Sequence, residues 1–134
     1  MTRLAAAFFC VALSGCSAAP SPDLQKAADL GANVTLAPGV SVSVKAAAMT
    51  VRFMAVTEDS RCPRDVTCVW AGQVKVQLVI NDVPEEILEG GSTLAGAYRV
   101  TLVRVDPQPV STARIAPQDY RATLKIDKDV GASG

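Results

Sequence analysis

Gln73-Val74-Lys75-Val76-Gln77-Leu78-Val79-Ile80 places apolar side chains at 74, 76, 78 and 80 and, Val79 apart, polar ones between them. Side chains of an extended chain point alternately to opposite faces, so this period of two describes a strand with one face in a core and the other towards water. The pattern recurs on both sides of it. Val40, Val42 and Val44 alternate with Ser41, Ser43 and Lys45, Met49, Val51, Phe53 and Ala55 with Thr50 and Arg52, and Tyr120, Ala122, Leu124 and Ile126 with Arg121, Thr123 and Lys125. Tyr98, Val100 and Leu102 share one parity before the apolar set moves to Val103 and Val105, which predicts a β-bulge near Leu102. Pro38-Gly39, Asn81-Asp82, Gly90-Gly91 and Asp106-Pro107 supply turns between the runs. Their spacing predicts an all-β fold: a small antiparallel Greek-key sandwich, immunoglobulin-like, of about seven or eight strands, in preference to a closed barrel.

The amino-terminal segment follows different rules. Arg3, the apolar run Leu4 to Leu13 and the small residues before Cys16 form a charged, then apolar, then small-residue sequence too short to span a bilayer as a helix. With Leu13-Ser14-Gly15-Cys16 closing it, the segment resembles a bacterial lipoprotein precursor. The resemblance implies cleavage before Cys16 and a diacylglycerol thioether on its sulfur, with Ser17 favouring the outer membrane. The alternative is an ordinary secretory cleavage after Ser17-Ala18-Ala19, which Pro20 behind the scissile bond disfavours. The expected organisation is a leader at 1–15, a lipidated tether at 16–33 that contains a weakly helical stretch at 23–30, a sandwich domain at 34–128 and a flexible tail at 129–134.

Loss of 15 residues from a chain of 134 leaves room for one domain and not for two. Lys plus Arg and Asp plus Glu number 13 each, so removal of Arg3 with the leader leaves the remainder near minus one. The basic residues are scattered, and the electrostatic footprint of a nucleic-acid binder is missing. The chain contains no histidine, which removes the commonest general base, the commonest metal ligand and every Ser-His-Asp or Cys-His device. No glycine-rich phosphate loop follows a strand, and no cofactor is expected.

Of the four cysteines, Cys10 leaves with the leader and Cys16 takes the lipid, so Cys62 and Cys68 remain for each other in an oxidising compartment. They lie in the densest chemical segment, Glu58-Asp59-Ser60-Arg61-Cys62-Pro63-Arg64-Asp65-Val66-Thr67-Cys68-Val69-Trp70-Ala71-Gly72. Its run Asp59-Ser60-Arg61-Cys62-Pro63, followed by Cys68 and Trp70-Ala71-Gly72, resembles a motif of small exported bacterial β-domains of uncharacterised function. The resemblance implies an envelope domain and carries over no catalytic residue. The segment reads as a loop between a strand ending near Glu58 and one entering at Thr67 and running to Ile80, with Gly72 permitting a bulge.

Two readings of that loop compete. In the first the disulfide staples a crossing loop, Trp70 fills one end of the core, and Asp59, Arg61, Arg64 and Asp65 pair with one another or with loop amides. In the second the stiffened loop presents Arg61, Arg64 and Trp70 to a partner, since arginine and tryptophan are favoured at binding hot spots and rigidity lowers the ordering cost. Thiol-disulfide catalysis would want a Cys-x-x-Cys at a helix start. Calcium could use Glu58, Asp59 and Asp65, but the alternating acidic spacing of an ion loop is missing. Met49 and Met54 have opposite parity and cannot share a copper ion. The acidic cluster Glu85, Glu86 and Glu89 reads as a solvated face, and Tyr120 as a core anchor whose hydroxyl meets the backbone. The functional expectation is a membrane-anchored, non-catalytic envelope lipoprotein facing the periplasm that binds an envelope protein or cell-wall ligand through the clamped loop. The alternatives are a periplasmic hydrolase inhibitor or a redox or metal-binding protein.

Overall fold

The computed structural model describes Gly15 and residues 25–132. Cys16, the leader and most of the tether lie outside the described residues. Among the described residues there are nine strands: β1 (Gln25–Ala27), β2 (Asn33–Leu36), β3 (Ser41–Val44), β4 (Met49–Asp59), β5 (Val74–Ile80), β6 (Val83–Leu88), β7 (Ser92–Ala95), β8 (Tyr98–Asp106) and β9 (Arg121–Lys128). They form a five-stranded sheet in the order β1-β3-β4-β5-β6 and a four-stranded sheet in the order β2-β9-β8-β7. All ladders are antiparallel except β1 on β3. The small β-sandwich read from the alternation is what the chain forms.

From β3 to β6 and again from β7 to β9 each strand lies beside its successor, and β2 returns to lie on β9. Each sheet is thus a run of sequential neighbours joined at its edge by a non-consecutive strand, β1 on β3 and β2 on β9. Short turns explain the sequential runs. Asn81 and Asp82 both sit at positive φ, 48° and 67°, in a two-residue hairpin between the paired Ile80 and Val83. Two residues in the left-handed region match the twist of the strands they join, and asparagine and aspartate tolerate it.

The alternating apolar residues make the core. Val42, Val44, Met49, Val51, Phe53, Val74, Val76, Leu78 and Ile80 from one sheet meet Leu36, Val100, Leu102, Val105, Ala122, Leu124 and Ile126 from the other, all buried. The bulge falls where the parity breaks: pairing of β8 with β9 shifts between Leu102 and Arg104, Val103 becomes the extra residue and is exposed, and Val105 returns to the core. Thr123, of polar parity, is also buried, and its hydroxyl meets that of Thr35 at 3.0 Å.

Three boundaries move. The sheet reaches back to Gln25, so residues 25–27 of the expected tether are a strand; of the stretch 23–30 read as helical, residues 23 and 24 lie outside the described residues and 25–30 form β1 and the start of a turn. A three-residue strand at the edge gains its ladder bonds from β3, which outweigh a weak helical propensity. Val130–Ala132 forms a 3₁₀ turn after β9, and Asp129 receives a hydrogen bond from Arg99 at 3.1 Å, so the expected tail begins as structure. β5 starts at Val74, not at Thr67, because residues 62–72 belong to the clamped loop.

Phe53 is the largest fully buried side chain. Phe53→Ala removes its contacts and leaves a cavity between the sheets, with an expected loss of about 3–5 kcal/mol in denaturant unfolding. A loss below about 1 kcal/mol would mean that the two sheets do not close on this residue as described.

Candidate functional site

The candidate site occupies one end of the sandwich. That end gathers the carboxyl end of β4, the amino end of β5, the turn after β6, the end of β8 with the long connection 107–120, and Tyr120 before β9. It has an inner layer of paired charges and an outer loop held by a disulfide.

Arg61 is the centre of the inner layer, its side chain only 8% exposed. Nε and Nη2 each donate to an oxygen of Asp59 at 2.8 Å, a two-pronged pair between residues two apart on a strand that has just ended. Nη1 donates to the Val105 carbonyl at 2.8 Å and Nη2 to the Pro107 carbonyl at 3.1 Å. Tyr120 Oη donates to Asp59 Oδ2 at 2.9 Å. Glu89 Oε2 lies 3.9 Å from Nη1 and accepts the Val105 amide at 2.7 Å. One guanidinium thus satisfies carbonyls at the end of β8 while its partner carboxylate receives the Tyr120 hydroxyl. A planar fork with five donors suits this role in a way that a lysine ammonium does not.

The electrostatics follow from that geometry. Burial alone would raise the Asp59 carboxyl, but the hydrogen bonds from Arg61 and Tyr120 and the adjacent positive charge outweigh it and hold the carboxyl below its ordinary value. The Arg61 guanidinium is raised by its bonds to Asp59. Burial and the bond to the Asp59 carboxylate push Tyr120 up to about 12. These are the shifts of an ion pair held charged and a phenol held neutral.

The outer layer is the loop itself. Cys62 and Cys68 are bonded, with Cα atoms 5.8 Å apart. On the loop-entropy account so short a ring contributes about 2 kcal/mol. Below the ring the two sides of the loop are laced together: Ser60 N donates to Gln73 O at 2.8 Å, Gln73 N to Ser60 Oγ at 3.1 Å, and Cys62 N to Ala71 O at 3.0 Å. Gly72 permits this approach. It sits at φ +69°, and a Cβ there would stand 1.8 Å from the Ser60 carbonyl oxygen. The ring also docks on the connection 107–120. Arg64 N donates to Pro109 O at 3.0 Å, and Asp65 accepts from the Ser111 amide at 2.8 Å and from its hydroxyl. Those bonds hold the Asp65 carboxyl below its ordinary value.

The tip beyond these restraints is apolar and in water. Trp70 is 82% exposed, Val69 92% and Val66 45%. The expected residues therefore divide. Asp59, Arg61 and Asp65 pair internally, as the stapling reading has it, so Arg61 is not presented to a partner. Trp70 does not fill the core: the end it was expected to plug is closed by Tyr120, Val105 and the Asp59–Arg61 pair. Arg64, like Trp70, is exposed on the same loop.

Two contributors escaped the sequence reading. Val69 was hidden because it precedes Trp70 in a stretch taken for a strand, where one of the two would face inward. Glu89 passed as a solvated charge, and only the turn after β6 brings it to the Val105 amide. Tyr120 is buried as expected, but its hydroxyl meets a carboxylate and not the backbone. Among the described residues no group of three or more His, Cys, Asp and Glu side chains is arranged to hold a metal ion. Comparison with known proteins returns no matching family model, curated protein or solved structure.

The two arginines should separate in stability. Arg61→Ala leaves the half-buried Asp59 without its cation and removes the donors Arg61 gives to the Val105 and Pro107 carbonyls, and the expected cost is about 2–4 kcal/mol. Arg64→Ala and Trp70→Ala, at exposed positions, should stay within about 0.5 kcal/mol of the parent. Denaturant melts of the three variants check this, and equal losses would contradict the inner and outer assignment.

A second expectation concerns alkaline pH. Tyr120 is raised in the folded chain above its ordinary value near 10, so its contribution to stability is intact below pH 10 and is lost as pH rises through about 12. Ultraviolet titration of the phenols should show one of the two tyrosines ionising late, with unfolding following it. Tyr120→Phe should remove that late step, and its persistence in the variant would assign the step elsewhere.

Proposed function

We propose that the chain is a lipid-anchored envelope protein whose non-catalytic β-sandwich binds an envelope component through the apolar tip of its clamped loop. The observation that carries the reading is the exposure of Val69 and Trp70, 92% and 82%, on a loop closed by a disulfide, a laced neck and the Asp65–Ser111 bonds. Leaving a tryptophan and a valine in water costs hydrophobic free energy, roughly 1.5–3 kcal/mol for a side chain of valine size. Fixing them there in advance removes the ordering cost a flexible loop would incur on binding. Arg61, buried and paired, supports the loop; Val69, Trp70 and Arg64 are the contact residues. The anchor rests on Leu13-Ser14-Gly15-Cys16, and Ser17 supports the outer membrane, facing the periplasm. At this end Asp59 and Arg61 pair with each other and Asp65 is bonded to Ser111.

A second reading, inhibition of a periplasmic hydrolase, draws on the same stiff apolar tip, which could enter a substrate cleft.

Two measurements test the proposal. Mass spectrometry of the amino-terminal peptide should find Cys16 acylated, and Cys16→Ala should leave uncleaved precursor. An unmodified peptide starting at Ser17 or Pro20 would refute the anchor. A photo-crosslinking residue at Val69 should give discrete envelope adducts in cells, a hydrolase among them favouring the second reading. The same residue at Arg99, far from the loop, should not. Identical adducts from both positions would refute the loop as the binding site.

A further inference from the structure

The direction of β1 says which way the anchored end of the chain leaves the domain. β1 runs parallel to β3, with Gln25 opposite Ser41 and Ala27 opposite Ser43. β3 runs antiparallel to β4, with Ser41 opposite Arg52, and the ladder continues through Phe53 N donating to Val40 O. Going backwards from Gln25 along this direction therefore leads from the register of Arg52 towards that of Asp59, the end of β4 where the clamped loop begins. The other strands agree. β2 ends, β6 ends, β8 ends and β9 begins at that same end, while the Asn81-Asp82 hairpin and the turn after β9 lie at the opposite one. The amino end of β1 and the Val69–Trp70 tip thus belong to one end of the sandwich.

Reach decides how much this matters. Residues 16 to 24 are nine, and nine residues span at most about 30 Å when fully extended. Arg52 to Asp59 along β4 is about 20 Å. A lipid on Cys16 keeps the domain within one short chain length of the bilayer, and the loop end is the end that chain leaves from.

We propose that the Val69–Trp70 tip seats in the interfacial layer of the same bilayer that holds the Cys16 lipid, so that the lipid surface itself is the ligand of the clamped loop. The inference rests on the lipid-anchor reading of Cys16. The chemistry of the tip fits a lipid surface. Indole has an apolar body and one N–H donor, which suits the headgroup level of a membrane. Arg64, exposed on the same loop, adds a cation for anionic headgroups, and the Asp65 carboxylate, which anionic headgroups would repel, is bonded to Ser111. Acyl chains on Cys16 already supply affinity. The loop supplies orientation, a second point of contact that stops the domain from swinging on its tether and sends the opposite end, with its Asn81-Asp82 hairpin, away from the membrane.

Trp70 is the only tryptophan, so its emission reports the tip directly. The purified full-length lipoprotein is reconstituted into phosphatidylethanolamine–phosphatidylglycerol vesicles, with and without lipids brominated near the headgroup end of the acyl chains. The vesicles are floated, and the emission of the floated protein is read. The expected result is a blue-shifted emission that brominated lipid quenches about twofold or more. Val69→Asp should still float, because the acyl anchor is untouched, and should lose the shift and the quenching. Protein that floats while Trp70 keeps the unquenched emission of a hydrated indole overturns the inference and leaves the anchor standing. Protein that does not float overturns the anchor and this inference with it. A blue shift produced by soluble peptidoglycan fragments or by an envelope protein, and not by vesicles, overturns the inference in favour of that partner.

Discussion

The two-pronged bond between Arg61 and Asp59 is the constraint on which this end of the molecule depends. Sheets that meet face to face leave carbonyls and amides at their ends with no strand to pair with, and buried groups of that kind must find partners. Here a single guanidinium takes the Val105 and Pro107 carbonyls, Asp59 takes the Tyr120 hydroxyl, and Glu89 takes the Val105 amide. The pair joins the end of β4 to the end of β8 and the start of β9, which belong to different sheets. An apolar plug of the same volume would pack as well but would leave those backbone groups unsatisfied.

Once that layer is closed, the loop above it has no part to play in the core. This is why Trp70 can be exposed without weakening the fold. The restraints at the neck, between Ser60 and Gln73 and between Cys62 and Ala71, bind backbone to backbone or to one hydroxyl, and the disulfide and the Asp65–Ser111 bonds hold the ring from its sides. None of them uses Val69 or Trp70. The stapling and presenting readings of the segment, which looked like competitors, are therefore successive layers: Arg61 and Asp65 staple, and Val69 and Trp70 remain for contact.

The sandwich was legible because its signal is local. Alternation at Val74, Val76, Leu78 and Ile80 needs only the geometry of an extended chain, and the parity break at Leu102 announced its bulge in the same terms. The pairing of β2 with β9 was not legible, since local alternation does not say which edges meet. Nor could propensity show β1, whose Gln25-Lys26-Ala27 favours a helix in isolation and becomes a strand only beside β3. In the candidate site, the disulfide followed from counting cysteines. The fate of the two arginines did not, because Arg61 and Arg64 differ by three positions in one loop and only the approach of residues 105 to 107 selects Arg61 as the buried one.

An apolar pair fixed in water invites association between copies, unless something else covers it first. On the lipid-anchor proposal, a tether leaving from the loop end changes that competition. A bilayer within reach of nine residues presents apolar area at an effective concentration that no second copy in dilute solution can match, in the way any short linker favours the intramolecular partner. On that proposal the strand direction of β1 and the exposure of Val69 and Trp70 are parts of one arrangement, since β1 running antiparallel to β3 would carry a lipidated end to the Asn81-Asp82 side, away from the tip.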